Sequence, residues 1–327
     1  MSEVGKILVI GDLHISDRYS GKHIDYVENC FECLDMITDS IKEYEITHLI
    51  CLGDWIGQGQ AEKNLNKRPV LLRLIQVLNE WNELTNNNVY SLRGNHDIGR
   101  IMTDYDLFVG MKLLKHIDTL DINNCKIHMF DYGDEDRLIK IAEDKTNIGC
   151  FHTNLLIEGL TTWYQGGVGR ELSTLHNLSG ISYAIAGHIH NPSPRMVSTS
   201  IMGNPVNLFY PGCITRPKKE PNLWNQVWGV LITALDKDTN IEVLNYDLKP
   251  FEEIFKEEIS EEEQSNLENL LDIQRLSETF DVMHNYNLNS GLDYVSQIKK
   301  VAGLDLAAAN IALKYVEEAE AKFSSKD

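Results

Sequence analysis

No stretch of this chain approaches the roughly 18 consecutive apolar residues that a membrane-spanning helix needs. The first apolar run, Ile7–Ile10, is too short for the core of a signal peptide and no small-residue cleavage site follows it. A cytoplasmic location, with no membrane partner, is therefore expected. Cysteine is scarce, with 6 in 327 residues, which excludes the disulfide framework of a small secreted domain. Cys30 and Cys33 form a C-x-x-C inside a segment of helical periodicity, and no second Cys or His pair stands at zinc-finger spacing. They read as thiols on a helix. Basic side chains are also short, 30 Lys and Arg against 49 Asp and Glu, for a net charge of −19. A free-standing nucleic-acid binder should present a basic surface. Residues 251–327 hold 17 acidic and 7 basic side chains, so more than half of the excess lies in the last quarter of the chain. Any affinity for DNA must then come from metals and from a partner.

The remaining composition, 43% hydrophobic and 24% charged, is that of an ordinary globular chain, long enough for one large domain and a smaller appendage. Short β-branched runs alternate with longer amphipathic stretches, the α/β signature. Strands are expected at Lys6–Ile10, His48–Leu52, Val89–Leu92, Lys126–Phe130, Asn147–Phe151 and Tyr183–Ala186. Others follow at Leu208–Tyr210, Val227–Leu235 and Ile241–Asp247, the last two joined by the polar turn Asp236–Asn240. Helices are expected at Ile24–Tyr44, Lys67–Leu84 and Tyr105–Lys115. After Pro250 the character changes to helix and acid. Ser260-Glu261-Glu262-Glu263 matches a capping box opening a helix to about residue 280, and Asp305–Phe323 is amphipathic. This divides the chain into a domain of residues 1–250 and an acidic helical segment of residues 251–327.

The chemistry is concentrated where strands end. Lys6–Ile10 runs into Gly11-Asp12-Leu13-His14, and His48–Leu52 into Gly53-Asp54. Val89–Leu92 runs into Arg93-Gly94-Asn95-His96-Asp97, Asn147–Phe151 into His152, and Tyr183–Ala186 into Gly187-His188-Ile189-His190. Ligands of open α/β sheets bind at the carboxyl ends of strands. In D-x-H and H-x-H, alternation points both side chains the same way, so each pair can grip one side of a cation. Asp12, His14, Asp54, Asn95, His152, His188 and His190 are about what two ions need, if one carboxylate is shared. A set of carboxylate, amide and imidazole excludes a thiolate zinc site and suits manganese, iron or zinc. A lone histidine is more often a satisfied polar residue than a ligand, and His23, His48, His116, His128, His176 and His284 are read that way.

The ordered series G-D-L-H, G-D-W-I-G-Q-G, G-N-H-D, His152 and G-H-I-H resembles the calcineurin-like metallophosphoesterase superfamily over nearly all of residues 5–190. The resemblance implies two facing mixed β-sheets flanked by helices. It implies one metal held by Asp12, His14, Asp54 and His190, and another by Asp54, Asn95, His152 and His188, with Asp54 bridging. It places His96 towards the scissile phosphate, with Asp97 orienting its imidazole and Arg93 either contacting phosphate or forming a structural ion pair. Two divalent ions are implied, manganese first, with iron, zinc or magnesium as alternatives.

Within the superfamily, Trp55-Ile56-Gly57-Gln58-Gly59 and G-N-H-D depart from the V-D-R-G and G-N-H-E of protein phosphatases. Gly187-His188-Ile189-His190-Asn191-Pro192 followed by Tyr210-Pro211-Gly212-Cys213-Ile214 resembles the G-H-x-H-x-P and Y-P-G-S region of SbcD-type nucleases, with Cys213 in place of serine. With the compact length, the resemblance is to the bacteriophage-encoded type. It implies a DNA exonuclease or endonuclease subunit for double-strand-break repair and recombination, partnered by an SbcC-like coiled-coil ATPase and able to form a homodimer. Two other readings stand beside it. One is a small-molecule phosphodiesterase or nucleotidase with a helical lid. The other is a structural subunit of a repair or replication assembly, against which the full ligand set argues.

Overall fold

The computed structural model describes residues 4–15, 26–57, 68–99, 102–156, 170–171, 175–190, 192, 197–201, 204–216 and 225–254. The chain divides into two compact units, Met1–Lys256 and Glu257–Asp327. The helices expected from Ser260 and over Asp305–Phe323 lie outside the described residues.

The first unit contains two mixed β-sheets. In the first, β1 (Gly5–Ile10) is central, flanked in parallel by β2 (His48–Cys51) and then β3 (Val89–Ser91). On its other side β12 (Gln226–Ala234) runs antiparallel and pairs in turn with β13 (Thr239–Asp247). The second sheet has the order β10 (Val197–Ile201), β11 (Asn204–Phe209), β9 (Tyr183–Gly187), β6 (Thr146–His152), β5 (Cys125–Phe130), β4 (Thr119–Ile122). A two-residue pair, β7 (Leu155–Leu156) and β8 (Arg170–Glu171), lies apart from both.

Side-chain parity sorts the core into layers. Ile7, Val9, Ile50 and Ile232 pack against Ile127, Met129, Ile148, Cys150 and Ile185, closing the space between the sheets. The opposite parity, Leu8, Ile10, Leu49 and Cys51, packs on α1 (Tyr26–Glu43) and α2 (Arg68–Leu84). On α1 the buried face includes Cys30, Cys33, Leu34, Ile37 and Ile41, the i, i+3, i+4, i+7, i+11 pattern of an amphipathic helix. Cys30 and Cys33 are therefore core thiols. The outer face of the second sheet is covered by Leu155, Leu175, Leu178 and Ile181. Two facing mixed sheets with helices outside are the architecture that the resemblance implied.

The third helix is shorter than its periodicity suggested. α3 spans Asp104–Gly110, opened by a capping box in which Thr103 and Asp106 satisfy each other's backbone amides. It stops because Lys112 enters the left-handed region at φ 62°. Lys112 N then donates to Val109 O, and Leu113 N to Phe108 O, a Schellman closure. Lys115 then bridges to β3, exchanging hydrogen bonds with Val89 and Ser91, so the chain turns at residues 111–114 and meets the sheet edge at Lys115 instead of continuing the helix. α4 (Phe251–Ile254) begins just after Pro250 and buries Ile254 in the core on the helix side of the first sheet.

Candidate dinuclear metal centre

All seven candidate ligands come together at the carboxyl ends of β1, β2, β3, β6 and β9. Three of them sit in left-handed backbone: His14 at φ 46°, Asp54 at φ 49° and His188 at φ 71°. Such conformations cost on the order of 1–3 kcal/mol each and persist only where surrounding bonds over-determine them. Those bonds are present. His14 N donates to Asp54 O at 2.8 Å, and His188 N to the Asp12 carboxylate at 3.0 and 3.1 Å. Asp54 Oδ1 accepts His96 N at 2.8 Å. Two glycines permit the close approach. A Cβ on Gly94 would lie 2.1 Å from Asp54 Oδ1, and one on Gly11 would lie 1.8 Å from Gly212 O.

The imidazoles are oriented from behind. His14 Nδ1 faces Ile56 O at 3.2 Å, and His152 Nδ1 faces Leu52 O at 2.7 Å. Only an N–H can satisfy a carbonyl, so the Nε2 of each ring is turned inward. Metal-ligating histidines are held in this way. His14 Nε2 lies 2.8 Å from His190 Nε2 and 3.4 Å from Asp54 Oδ2. His152 Nε2 lies 3.2 Å from the same Asp54 oxygen and 3.0 Å from Asn95 Oδ1, which also meets His188 Nδ1 at 2.9 Å. Three groups of donor atoms lie within one cation's reach: Asp12, His14 and His190; Asp54, His152 and His188; and His14, Asp54 and His96.

Asp54 Oδ2 is buried between the Nε2 atoms of His14 and His152, at 3.4 and 3.2 Å, without a well-aligned hydrogen bond to either. A buried carboxylate oxygen so poorly paired is costly unless a cation takes it. The residues therefore fit two metal ions with Asp54 between them.

Proton affinities carry the same imprint. Burial pushes Asp12 up to about 7, opposed by His152 and assisted by Asp54. For Asp54 burial also pushes upward, but the imidazoles of His152 and His14 outweigh it and hold the carboxyl below its ordinary value. Burial lowers His14 and His188 to about 4. It opposes protonation of His152 as well, but Asp54 and Asp12 prevail and raise that ring to about 10. Metal binding releases protons from sites of this kind.

The remaining site candidates divide. His96 is half-buried, its ring 5.1 Å from that of His14. Asp97, the expected orienter of His96, also supports the ligand loops. Its Oδ1 accepts Trp55 N and its Oδ2 accepts Gly94 N, both at 3.0 Å, so both oxygens brace the backbone carrying Asp54 and Asn95. Arg93 realises the ion-pair alternative, bonding Asp106 Oδ1 at 2.6 Å. The Tyr210–Thr215 segment laces the ligand loops together. Cys213 N donates to His190 O, Ile214 N to Asp12 O and Thr215 Oγ1 to Leu13 O. Sequence reading also missed Tyr132, whose ring lies 5.6 Å from that of His188 and 6.3 Å from that of His152. Its signal, an aromatic inside the turn sequence Asp-Tyr-Gly-Asp, carries no metal-site pattern.

Paired carboxylates and imidazoles at the strand ends of a two-sheet sandwich define a dinuclear metallohydrolase. The chain belongs to the calcineurin-like phosphoesterase family, whose profile matches residues 5–192. It is accordingly a metal-dependent phosphoesterase. No curated protein matches the sequence. Among solved structures it is similar to a dimetal phosphatase from Danio rerio, at 12% identity over 75% of this chain and 99% of that one, with a TM-score of 0.47. It is also similar to a Vps29 single mutant from Entamoeba histolytica, at 14% identity over 74% and 99%, TM-score 0.33. A third likeness is to the phosphoesterase Yfce from E. coli, at 13% identity over 75% and 100%, TM-score 0.35. No helix among the described residues is long and apolar enough to cross a membrane.

Proposed function

We propose that this chain is a two-metal phosphodiesterase that cuts DNA, acting as the nuclease subunit beside a coiled-coil ATPase of the SbcC type. The observation that carries the phosphodiester chemistry is Asp54 Oδ2, without a well-aligned hydrogen bond between two inward-turned imidazoles. The DNA reading is supported by the sequence Gly187–Pro192 followed by Tyr210–Ile214, a pairing that resembles SbcD-type nucleases and that here ties His190 to the Asp12 loop.

Asp12, His14, Asp54 and His190 would hold one ion, and Asp54, Asn95, His152 and His188 the other. Manganese is the first candidate, with iron, zinc or magnesium as alternatives. When bound, two such ions supply charge that polarises a phosphoryl oxygen and acidifies a water. The chain's own residues do the rest. His14 and His152, pinned through Nδ1, aim Nε2 at the centre, where His152 would give up its second proton to act as a donor. Asp97 holds the Asp54 and Asn95 backbones in register. His96, anchored through its amide to Asp54 Oδ1 and half-open to solvent, meets the leaving oxygen and gives it a proton. Arg93 belongs to the scaffold.

The acidic residues 251–327 repel phosphate, so in this reading the ATPase supplies the basic DNA surface and docks on that segment. A homodimer would use Leu72 of α2, 61% exposed, and Met111 just past α3, 48% exposed. The net charge of −19 favours a second reading, a phosphodiesterase or nucleotidase for small molecules.

A manganese-supplemented assay separates the two. Linear single- and double-stranded DNA, cyclic nucleotides and phosphomonoesters are offered in parallel, with and without chelator. Chelator-sensitive cleavage of DNA is expected. Turnover confined to cyclic nucleotides or monoesters would replace the DNA reading with the second one.

A further inference from the structure

Tyr132 stands at the exposed corner of a turn that the rest of the fold holds rigidly. Asp134 N donates to Asp131 O at 3.0 Å, and Gly133 follows Tyr132 at φ 85°, the arrangement of a type II turn with Tyr132 at its second position. Its entering side is anchored to the third ligand loop. Tyr132 N donates to Arg93 O at 3.0 Å, while Arg93 N donates to Asp131 Oδ1 at 2.8 Å. Asp131 Oδ2 also receives His116 Nε2 at 2.7 Å. Beyond the turn, Arg137 pairs with Asp118 and Asp134. The residue is 46% exposed, yet its ring centroid lies within 6.3 Å of those of two candidate ligand imidazoles. A large aromatic held rigid, open to solvent and adjacent to a phosphate-processing centre has little packing role on its open side. It loses little entropy when a flat group covers it.

We propose that Tyr132 is a stacking platform for the nucleobase of a nucleoside-bearing phosphodiester, set beside the His152–His188 half of the centre. The proposal rests on the phosphodiesterase reading above and names the part of the substrate that this flank receives. Every base offers a π-face, so such a platform favours nucleosides over alkyl groups without choosing among bases. Its loss costs about 5- to 150-fold per stacked base.

The test compares two diesters sharing one leaving group, thymidine 5′-(p-nitrophenyl phosphate) and methyl p-nitrophenyl phosphate, on the manganese-loaded full chain. Calorimetric titration with thymidine 5′-phosphate and with methyl phosphate runs alongside. Tyr132→Ala should lower the thymidine-to-methyl ratio of kcat/KM about 5- to 150-fold, mainly through KM, and weaken thymidine 5′-phosphate binding in step. Tyr132→Phe should keep both. An equal fall on both diesters overturns the platform, as does unchanged thymidine 5′-phosphate affinity in Tyr132→Ala. Loss of bound manganese in Tyr132→Ala overturns it too, since the ring would then be a prop for the two imidazoles. If the wild-type chain cleaves neither diester, the phosphodiesterase reading fails, and the calorimetric arm still decides whether Tyr132 receives a base.

Discussion

The two halves of the metal centre are built on different logics. Around Asn95, His152 and His188, a neutral carboxamide oxygen sits 2.9 and 3.0 Å from two imidazole nitrogens, and the His152 ring is also held by the Asp54 carboxylate at 3.2 Å. Around Asp12, His14 and His190, two imidazole nitrogens face each other at 2.8 Å over a buried carboxylate pushed up to about 7 by its burial. The first arrangement is organised before any cation arrives. The second concentrates negative charge and unshared pairs that a cation resolves. With Asp54 common to both, the Asp12 half carries two carboxylates and the Asn95 half only one. Charge therefore predicts tighter binding in the Asp12 half, and organisation predicts an Asn95 half that keeps its shape when empty.

The largest expected effect abolishes the distinction. Asp54→Asn cannot bridge two cations, so both halves should lose metal. Activity should fall beyond the about 10²–10⁴-fold worth of a single acid–base group. Metal content by atomic absorption and turnover test this together, and full activity with excess chelator present would end the two-metal reading. His96→Ala should separate chemistry from metal holding, losing about 10²–10⁴-fold in rate while keeping two ions per chain. A variant that lost its ions would make His96 a ligand. Asp97→Ala removes the acceptor of the Trp55 and Gly94 amides, and should weaken the Asn95 half about 10–100-fold, the usual worth of a supporting partner. Stepwise chelation should then release one ion per chain at lower chelator than in the wild type, and simultaneous release of both would contradict the asymmetry.

The strand ends were legible because each ligand closes a short β-branched run, and glycine marks the point where the backbone must approach a neighbour. The same runs gave an α/β class, and the two-sheet architecture came from the family resemblance. What stayed hidden depends on contacts between distant segments. β4 (Thr-Leu-Asp-Ile) is an edge strand with Thr119 and Asp121 exposed, too short and too polar to register as a strand. The end of α3 is set by the left-handed Lys112 and by the pull of β3 on Lys115, neither of which shows in an apolar stripe. Asp97 looked like a partner for its neighbour His96. It also accepts two backbone amides, one of them 42 residues away. Tyr132 belongs to the site only because Arg93 binds its turn.

The smallest expected effect lies in that turn. His116 is raised, first by its hydrogen bond to Asp131, while Asp131 is lowered, its partners His116 and Arg93 N outweighing burial. The imidazolium contribution is complete below the ordinary 6.5 and fades as pH rises through the folded value. The carboxylate contribution is present above 3.8 and fades as pH falls through its lowered value. The stabilisation, on the order of 1 kcal/mol or less for a half-exposed pair, should thus peak between these limits. The Tm difference between wild type and His116→Ala should be greatest near about pH 5 and shrink by about pH 8. A difference independent of pH would remove the ion pair from the account.

The pairing of β1 with β12 also bears on how the protein is made. β1 is the central strand of its sheet, yet Gly5 finds its antiparallel partner only at Ala234. On the ribosome, one whole edge of this apolar strand stays unpaired while more than two hundred further residues are synthesised. Contacts of such sequence separation form slowly and leave sticky edges open in the meantime. The centre shares this delay, since its ligands run from Asp12 to His190. Chains stalled between His190 and Gln226 would carry a complete ligand set on a sheet that cannot close, and such nascent fragments are where aggregation and chaperone capture should concentrate.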